Sequence, residues 1–307
     1  MTRTGEIVKN FFNLYWIRPE VAIWRTLDSL QMRNVRFTKP LLDIGCGDGT
    51  FSFSNFGGKT DMNFDVYNTI KHTTGFYKGR DIHDQTTLYT PKILKKARIK
   101  IDVGVDWKQN LLDKAEKLHL YDQLIQHDLN KPLPFDDQSF STIFSNVFYW
   151  IDNLDQLLSE SHRILKSNGN LVICVPDYKF KQNLIFNKFI NGGHSWAKLL
   201  DRGIYNSITK HCYSLAKWKS LFFKKNFNIE YHSTYLSEDF IKFWTIGMRP
   251  YSPYIIDMTN NLQPGVRKNI KSRLIKEISP IIESYVNYEM TKQHNGCFHL
   301  FVLKKKS

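Results

Sequence analysis

Long apolar runs are missing from this 307-residue chain. No stretch approaches the roughly 20 residues that a membrane-spanning helix needs, and the first residues lack the apolar segment of a secretion signal. A soluble or membrane-peripheral, cytoplasmic protein of unspecified oligomeric state is expected. Cysteine is scarce as well. Cys46, Cys174, Cys212 and Cys297 lie far apart, with neither the CxxC spacing of a zinc site nor the density of a disulfide framework. Reduced structural thiols and no metal centre are the expectation. Acidic residues are outnumbered, 29 against 43 Lys plus Arg, for a formal charge of +14. That sign suits an anionic substrate, nucleic acid or a membrane surface. Lysine is dispersed, however, and only Lys304-Lys305-Lys306 forms a run, so an ordinary solvated surface accounts for it as well.

Aromatic and apolar material is abundant: 22 Phe, 15 Tyr, 7 Trp and 42% hydrophobic residues overall. A chain so composed builds a core, which excludes wholesale disorder. The length fits about two domains, or one α/β domain with insertions.

Strand and helix patterns alternate through the first 175 residues, predicting a parallel sheet covered on both faces. Val21, Trp24, Leu27 and Leu30 recur at helical spacing within 18–34. Residues 40–44 form a short apolar strand that runs into Gly45-Cys46-Gly47-Asp48-Gly49. A second strand at 101–106 precedes a helix with Leu111, Leu112, Ala115 and Leu118 on one face. Further strands are expected at 123–126, 141–146 and 171–175. A helix over 153–166 turns Leu154, Leu157, Leu158 and Leu165 inward and stops at Asn168-Gly169, a capping signal. Beyond Pro176 a helix near 214–225 and strands at 227–235 and 297–303 bracket a helical, aromatic-rich stretch over 238–295.

A strand that ends in a glycine-rich turn brings backbone N–H groups and a helix N-terminus against a ligand. Alone the pattern is weak; its surroundings sharpen it. Asp106 closes the second strand, where a carboxylate accepts hydrogen bonds from the two hydroxyls of a ribose. Asp128 follows the third, placed to accept from an adenine amino group. Three loops thus converge at the carboxyl edge of an open sheet, where such sheets bind ligands. A dinucleotide fingerprint is disfavoured, because it wants GxGxxG and an acid about 20 residues on. No phosphate-binding GxxxxGK[ST] loop occurs.

These residues resemble the class I S-adenosylmethionine-dependent methyltransferases, in particular the type-11 group. The stretch Leu41-Leu42-Asp43-Ile44-Gly45-Cys46-Gly47-Asp48-Gly49-Thr50 is similar to the family's first motif. Val103-Gly104-Val105-Asp106 is similar to the second, and Gln126-His127-Asp128-Leu129 to the third. Leu133-Pro134-Phe135 through Phe140, Phe144-Ser145-Asn146-Val147, and Ser161 through Gly169 resemble later segments. The resemblance implies an α/β, Rossmann-like, doubly wound sheet of seven strands, with an insertion after strand 1 and a helical C-terminal cover. The cofactor domain would take 1–235 and 296–307, with the insertion within about 55–98, and the substrate-side cover 236–295.

It also implies that Asp43, Gly45, Cys46, Gly47 and Gly49 surround the methionine part of S-adenosylmethionine. Asp106 would hold the ribose, Trp107 and Leu129 would sandwich the adenine, and Asp128 would bind its amino group. Ser145 and Asn146 would lie beside the sulfonium. More loosely, Tyr15-Trp16, Pro19, Ala22-Ile23-Trp24-Arg25 and Lys210-His211-Cys212-Tyr213-Ser214 resemble methyltransferases of small molecules and sugars encoded with polysaccharide biosynthesis.

Two departures stand out. Roughly 35 extra residues follow the first motif, holding Tyr67, His72, Tyr77, His83 and Asp84, and long loops are often functional. Many relatives carry Glu-His after the fourth strand, where this chain has Tyr149-Trp150. A hydroxyl acceptor needs a base within about 3 Å; His211 is the first candidate, with His194 and Tyr149 also considered and Tyr213 as a lining residue. The acceptor expected is a small molecule or a saccharide, activated or lipid-linked. The rival is RNA, motivated by charge, against which the chain shows no NPPY-like box and no appended RNA-binding module. A non-catalytic cofactor-binding subunit is the third alternative.

Overall fold

Strand β1 (Leu41–Ile44) is buried along its whole length, as a continuous apolar run in the middle of a parallel sheet must be. A computed structural model describes residues 2–70, 73, 87–201, 208–248, 250–292 and 295–306. In it β1 pairs in parallel with β4 (Ile101–Asp106) on one side and β6 (Phe140–Ser145) on the other. Outside these lie β5 (Tyr121–Gln126), β7 (Leu165–Pro176), β8 (Phe227–Tyr235) and β9 (Phe298–Lys305). The order is β5-β4-β1-β6-β7-β9-β8, with β9 antiparallel to both neighbours. The chain crosses from one side of β1 to the other between β5 and β6, and such a reversal opens a crevice at the strands' carboxyl ends. All seven expected strands are present.

Helices fill both faces. Helix α5 (Leu154–Ile164) and α9 (Leu215–Lys224) pack Leu157, Leu158, Trp218 and Phe222 on one face. On the other lie α1 (Arg3–Tyr15), α2 (Pro19–Gln31), α3 (Thr50–Asn55) and α4 (Gln109–Glu116). Helix α5 stops earlier than its sequence suggests: Leu165 is already extended. The Asn168-Gly169 signal is not its cap but an irregularity at the start of β7, where Asn168 takes φ +61° next to a register shift against β6. After β7 come α6 (Tyr178–Asn183), α7 (Ile185–Asn191) and α8 (Ser195–Asp201). The C-terminal helices are α10 (Glu238–Ile246), α11 (Ser252–Asn260) and α12 (Pro264–Thr291). No described helix is long and apolar enough to cross a membrane.

The insertion starts and ends as a two-stranded ribbon, β2 (Lys59–Thr60) with β3 (Ile93–Lys95). Of its singled-out residues Tyr67 is buried; His72, Tyr77, His83 and Asp84 lie outside the described residues. Its first arm is anchored by Asp65, which is wholly buried. The Asp65 carboxylate accepts from Trp16 Nε1 at 2.9 Å, from Arg267 at 2.7 and 3.1 Å, and from Lys271 at 3.4 Å. Lys271 Nζ also donates to the Phe64 carbonyl at 2.7 Å, and Asn260 Nδ2 to the carbonyls of Tyr67 and Ile70 at 3.0 and 3.1 Å. The insertion is thereby clamped to α11 and α12.

Candidate active site

The glycine turn hangs on the end of β4. Gly45 and Cys46 donate their N–H groups to the Val105 carbonyl at 2.8 and 3.0 Å. Gly47 donates to Asp106 Oδ2, and Lys108 N–H to Asp106 Oδ1, both at 3.0 Å. Burial pushes the Asp106 carboxyl above its usual range, and these N–H groups oppose the shift. Three glycines have positive φ for separate reasons. At Gly45 (φ +72°) a Cβ would fall 2.0 Å from Val147 Cγ2, and at Gly49 (φ +72°) 3.0 Å from the Tyr121 ring. At Gly47 (φ +55°) a Cβ would meet no protein atom within 4 Å, so the tip of the turn faces open space. Gly47→Ala is therefore expected to keep the fold, at a cost of about 1 kcal/mol for its left-handed backbone, while filling the space at the tip. Gly45→Ala should lower the melting temperature much more. Equal losses from both in a thermal melt would contradict this division.

Two motif residues are tied into the scaffold. Asp43 Oδ2 accepts from Ser52 Oγ at 2.6 Å and Tyr121 OH at 2.8 Å. Desolvation raises this carboxyl to about 6, against the pull of those two hydroxyls. Ser145 Oγ donates to the Ile44 carbonyl at 2.8 Å and accepts from Val147 N–H at 3.2 Å, so it ties β6 to β1 rather than presenting a free hydroxyl. Asn146 beside it is half-buried. Cys46 is buried. Trp107 is 63% exposed and Leu129 buried. Asp128 is exposed; Asn130 donates to its Oδ1 from the backbone at 3.0 Å and from the side chain at 3.1 Å, holding the carboxyl low.

His211 is buried with both ring nitrogens engaged at 2.8 Å, Nε2 by the Ile151 carbonyl and Nδ1 by Tyr213 OH. A carbonyl only accepts, so Nε2 carries the proton and Nδ1 accepts from the phenol. Burial holds the imidazole neutral by lowering its pKa. As a free base His211 is thus preoccupied: any proton reaching it in this arrangement passes through Tyr213. Tyr149 is buried, its ring 5.5 Å from Phe298, and burial lifts its phenol to about 12. His194 is exposed and lies against Phe189 and Trp196.

Arg25 has no motif that points to it, and the fold fixes it in place. Its Nη1 pairs with Asp28 at 3.0 Å, and its guanidinium carbon sits 5.3 Å from the Phe51 ring in the first turn of α3. Burial pushes the Tyr15 phenol up, and the neighbouring Arg25 guanidinium opposes the shift. The Arg25 side chain stays 30% exposed, leaving a fixed cation beside the start of α3, where Asp48 Oδ1 caps Thr50.

Residues 87–173 match the family described as a methyltransferase domain, type 11. A malonyl-[acyl-carrier protein] O-methyltransferase of Coxiella burnetii is 33% identical over 93 residues, 30% of this chain and 31% of that protein. The chain thus spans about a third of the length of this curated relative. Among solved structures, the MccD protein aligns with TM-score 0.46 and 17% identity over 94% of this chain and 99% of that one. An S-adenosylmethionine-dependent methyltransferase from Mesorhizobium loti aligns with TM-score 0.42 and 13% identity, covering 86% and 90%. The family match begins beyond the glycine turn, and the sheet sets that turn's strand beside a matched one, pairing Asp43 with Gly104 and Ile44 with Val105. The open space over Gly47, the carboxylate of Asp106 at its side and the exposed face of Trp107 fit an adenosine-bearing sulfonium. The matched part of the chain, residues 87–173, is similar to the type-11 methyltransferase domain, and it sits in a seven-stranded α/β sheet.

Proposed function

We propose that this chain methylates an oxygen of a small acceptor of about sugar size. The observation that carries the reading is the joining of the glycine turn and Asp106 by the 3.0 Å bond from Gly47, beside an open tip. S-adenosylmethionine, when bound, supplies a methyl group already activated as a sulfonium substituent. Asp106 would accept from the ribose hydroxyls, Trp107 and Leu129 would enclose the adenine, and Asp128 would take its amino group. The chain's task is then alignment, worth up to several kcal/mol of barrier.

Beyond β7 the chain packs aromatic rings into its core: Trp24 lies 4.9 Å from Trp244 and 5.1 Å from Phe298, and Phe180 5.4 Å from Phe298. Buried rings of this kind give no track for a phosphate backbone, which fits a small acceptor better. Five cations, Arg3, Arg33, Lys59, Lys95 and Arg98, line a groove at the opposite edge of the sheet, away from the glycine turn.

Tyr213 OH donates to His211 Nδ1, so a proton taken up at the phenol oxygen has an imidazole to pass to. Tyr213→Phe and His211→Gln are each expected to lower kcat by about 10²-fold and leave cofactor affinity within twofold. Because burial keeps His211 neutral, the wild-type rate should hold as pH falls to about 6.5 and drop only below it. A wild-type rate or an unchanged pH profile in both variants would assign the pair to structure. The acceptor itself is best sought by incubating cell-extract fractions with labelled methyl donor and identifying the product by mass spectrometry. Calorimetry comes first: absence of S-adenosylmethionine binding would overturn the whole reading.

A further inference from the structure

We propose that a second site, at the amino edge of the sheet, binds the phosphate of an organic phosphate. The site is a groove of about 150 Å³ formed by the start of α1, the end of α2, the end of α3 and the ribbon β2–β3. A water takes about 30 Å³ of liquid volume, so the groove holds about five waters, or a phosphate with a small organic group attached. It lies below the roughly 300 Å³ of drug-sized pockets. The methyl-donor crevice is at the carboxyl edge, so this ligand is not the acceptor.

Charge sets the ligand's class. Arg3, Arg33, Lys59, Lys95 and Arg98 line the groove with Glu6 as the lone carboxylate among them. Glu6 is ion-paired to Lys59, and its carboxyl is held low by Lys59 first and by Lys95 and Arg98 in addition. Arg3, Arg33, Lys95 and Arg98 have no ion-pair partner among the described residues. Nearby lysines do: Lys39 pairs with Asp102 at 3.1 Å, and Lys100 with Asp122.

Lys59 and Lys95 are directly opposed across the ribbon, and like charges in that position destabilise a strand pair. Glu6 offsets part of that cost through its ion pair to Lys59, and an anion beside Lys95 would offset the rest. Three arginines present planar forks that match phosphate oxygens two at a time. The excess of cations over the one occupied carboxylate suits a doubly charged phosphate better than a carboxylate. The floor is apolar, with Phe37 and Phe56 edge to face at 5.1 Å and Ile99 beside them, which fits the organic part.

The test uses the full chain. Calorimetric titration with inorganic pyrophosphate should show saturable binding that weakens steeply with salt. The double variant Arg33→Ala/Arg98→Ala, both positions exposed, should bind at least about tenfold more weakly, and Lys95→Glu likewise. Both variants should keep the wild-type affinity for S-adenosylmethionine, so failure here and failure of the proposed function read out separately. Flotation with phosphatidylcholine vesicles containing phosphatidic acid distinguishes the source. Flotation that pyrophosphate competes away supports a lipid phosphate, and pyrophosphate binding without flotation supports a free one. No saturable pyrophosphate binding, or undiminished binding by the variants, overturns the proposal.

Discussion

Asp65→Ala is expected to cost about 3–5 kcal/mol of folding stability, the penalty for leaving buried charges without their partner. Lys271 and Asp65 are both fully buried and Arg267 nearly so, and the carboxylate receives four of their and Trp16's hydrogen bonds. Burial alone would raise the Asp65 carboxyl; Lys271 and Arg267 outweigh it and bring it below the usual range. Burial also lowers the Lys271 amine to about 8, with Asp65 resisting the shift. Remove the carboxylate and that resistance is gone. Lys271→Met should cost far less, because Asp65 keeps its two-pronged bond to Arg267, and in Asp65→Ala it should restore part of the loss.

The sign of the pH dependence follows. Lys271 titrates at about 8 when folded and near 10.4 when unfolded, so its contribution to stability grows as pH rises across that window and is smallest below it. Lys271→Met removes that slope. Urea unfolding at pH 7 and 9.5 measures both effects. An Asp65→Ala protein within 1 kcal/mol of wild type would show that the cluster does not hold the insertion.

The sheet was readable because its strands are short apolar runs separated by helices with one apolar face. Phe227–Tyr235 has the limits that its pattern predicts. The clamp at Asp65 was not readable: Arg267 is 202 positions away in sequence, and an isolated Asp in a long loop looks like any turn residue. The partners of Asp43 and Ser145 were not readable either. A motif records which residue types occur, not what they bond, and only the fold brings Ser52 and Tyr121 to the one and the Ile44 carbonyl to the other. Arg25 carries no sequence signal of its own, and only the fold brings Tyr15, Asp28 and Phe51 round it. Asn168 illustrates a local signal overridden by pairing, since the demand of β6 for a partner from Leu165 onward outweighs a capping sequence.

Asp106→Ala is expected to weaken S-adenosylmethionine binding by about 100-fold or more, equivalent to roughly 3 kcal/mol, while leaving the empty protein as stable as before or slightly more so. The two expectations have one cause. In the ligand-free protein Asp106 is a desolvated carboxylate whose pKa is raised by burial; it costs folding energy to keep it there, and the N–H groups of Gly47 and Lys108 offset only part of the cost. Groups kept at such expense mark binding sites, where stability is commonly given up for function. A ribose would repay that cost with charge-assisted hydrogen bonds of about 1.5–3 kcal/mol each, and the variant loses them together with the anchor of Gly47. Asp106→Asn should fall between, because its single carbonyl oxygen can keep one of the two N–H bonds. The raised pKa adds a signature: affinity in the wild type should decline on acidification from a higher pH than an ordinary carboxylate would give, and the alanine variant should lose this dependence. A thermal-shift series resolves the contributions, since ligand added at a hundred times its dissociation constant stabilises a protein by about 2.7 kcal/mol. A ligand-induced shift in Asp106→Ala equal to that of the wild type would move the methyl donor away from the end of β4.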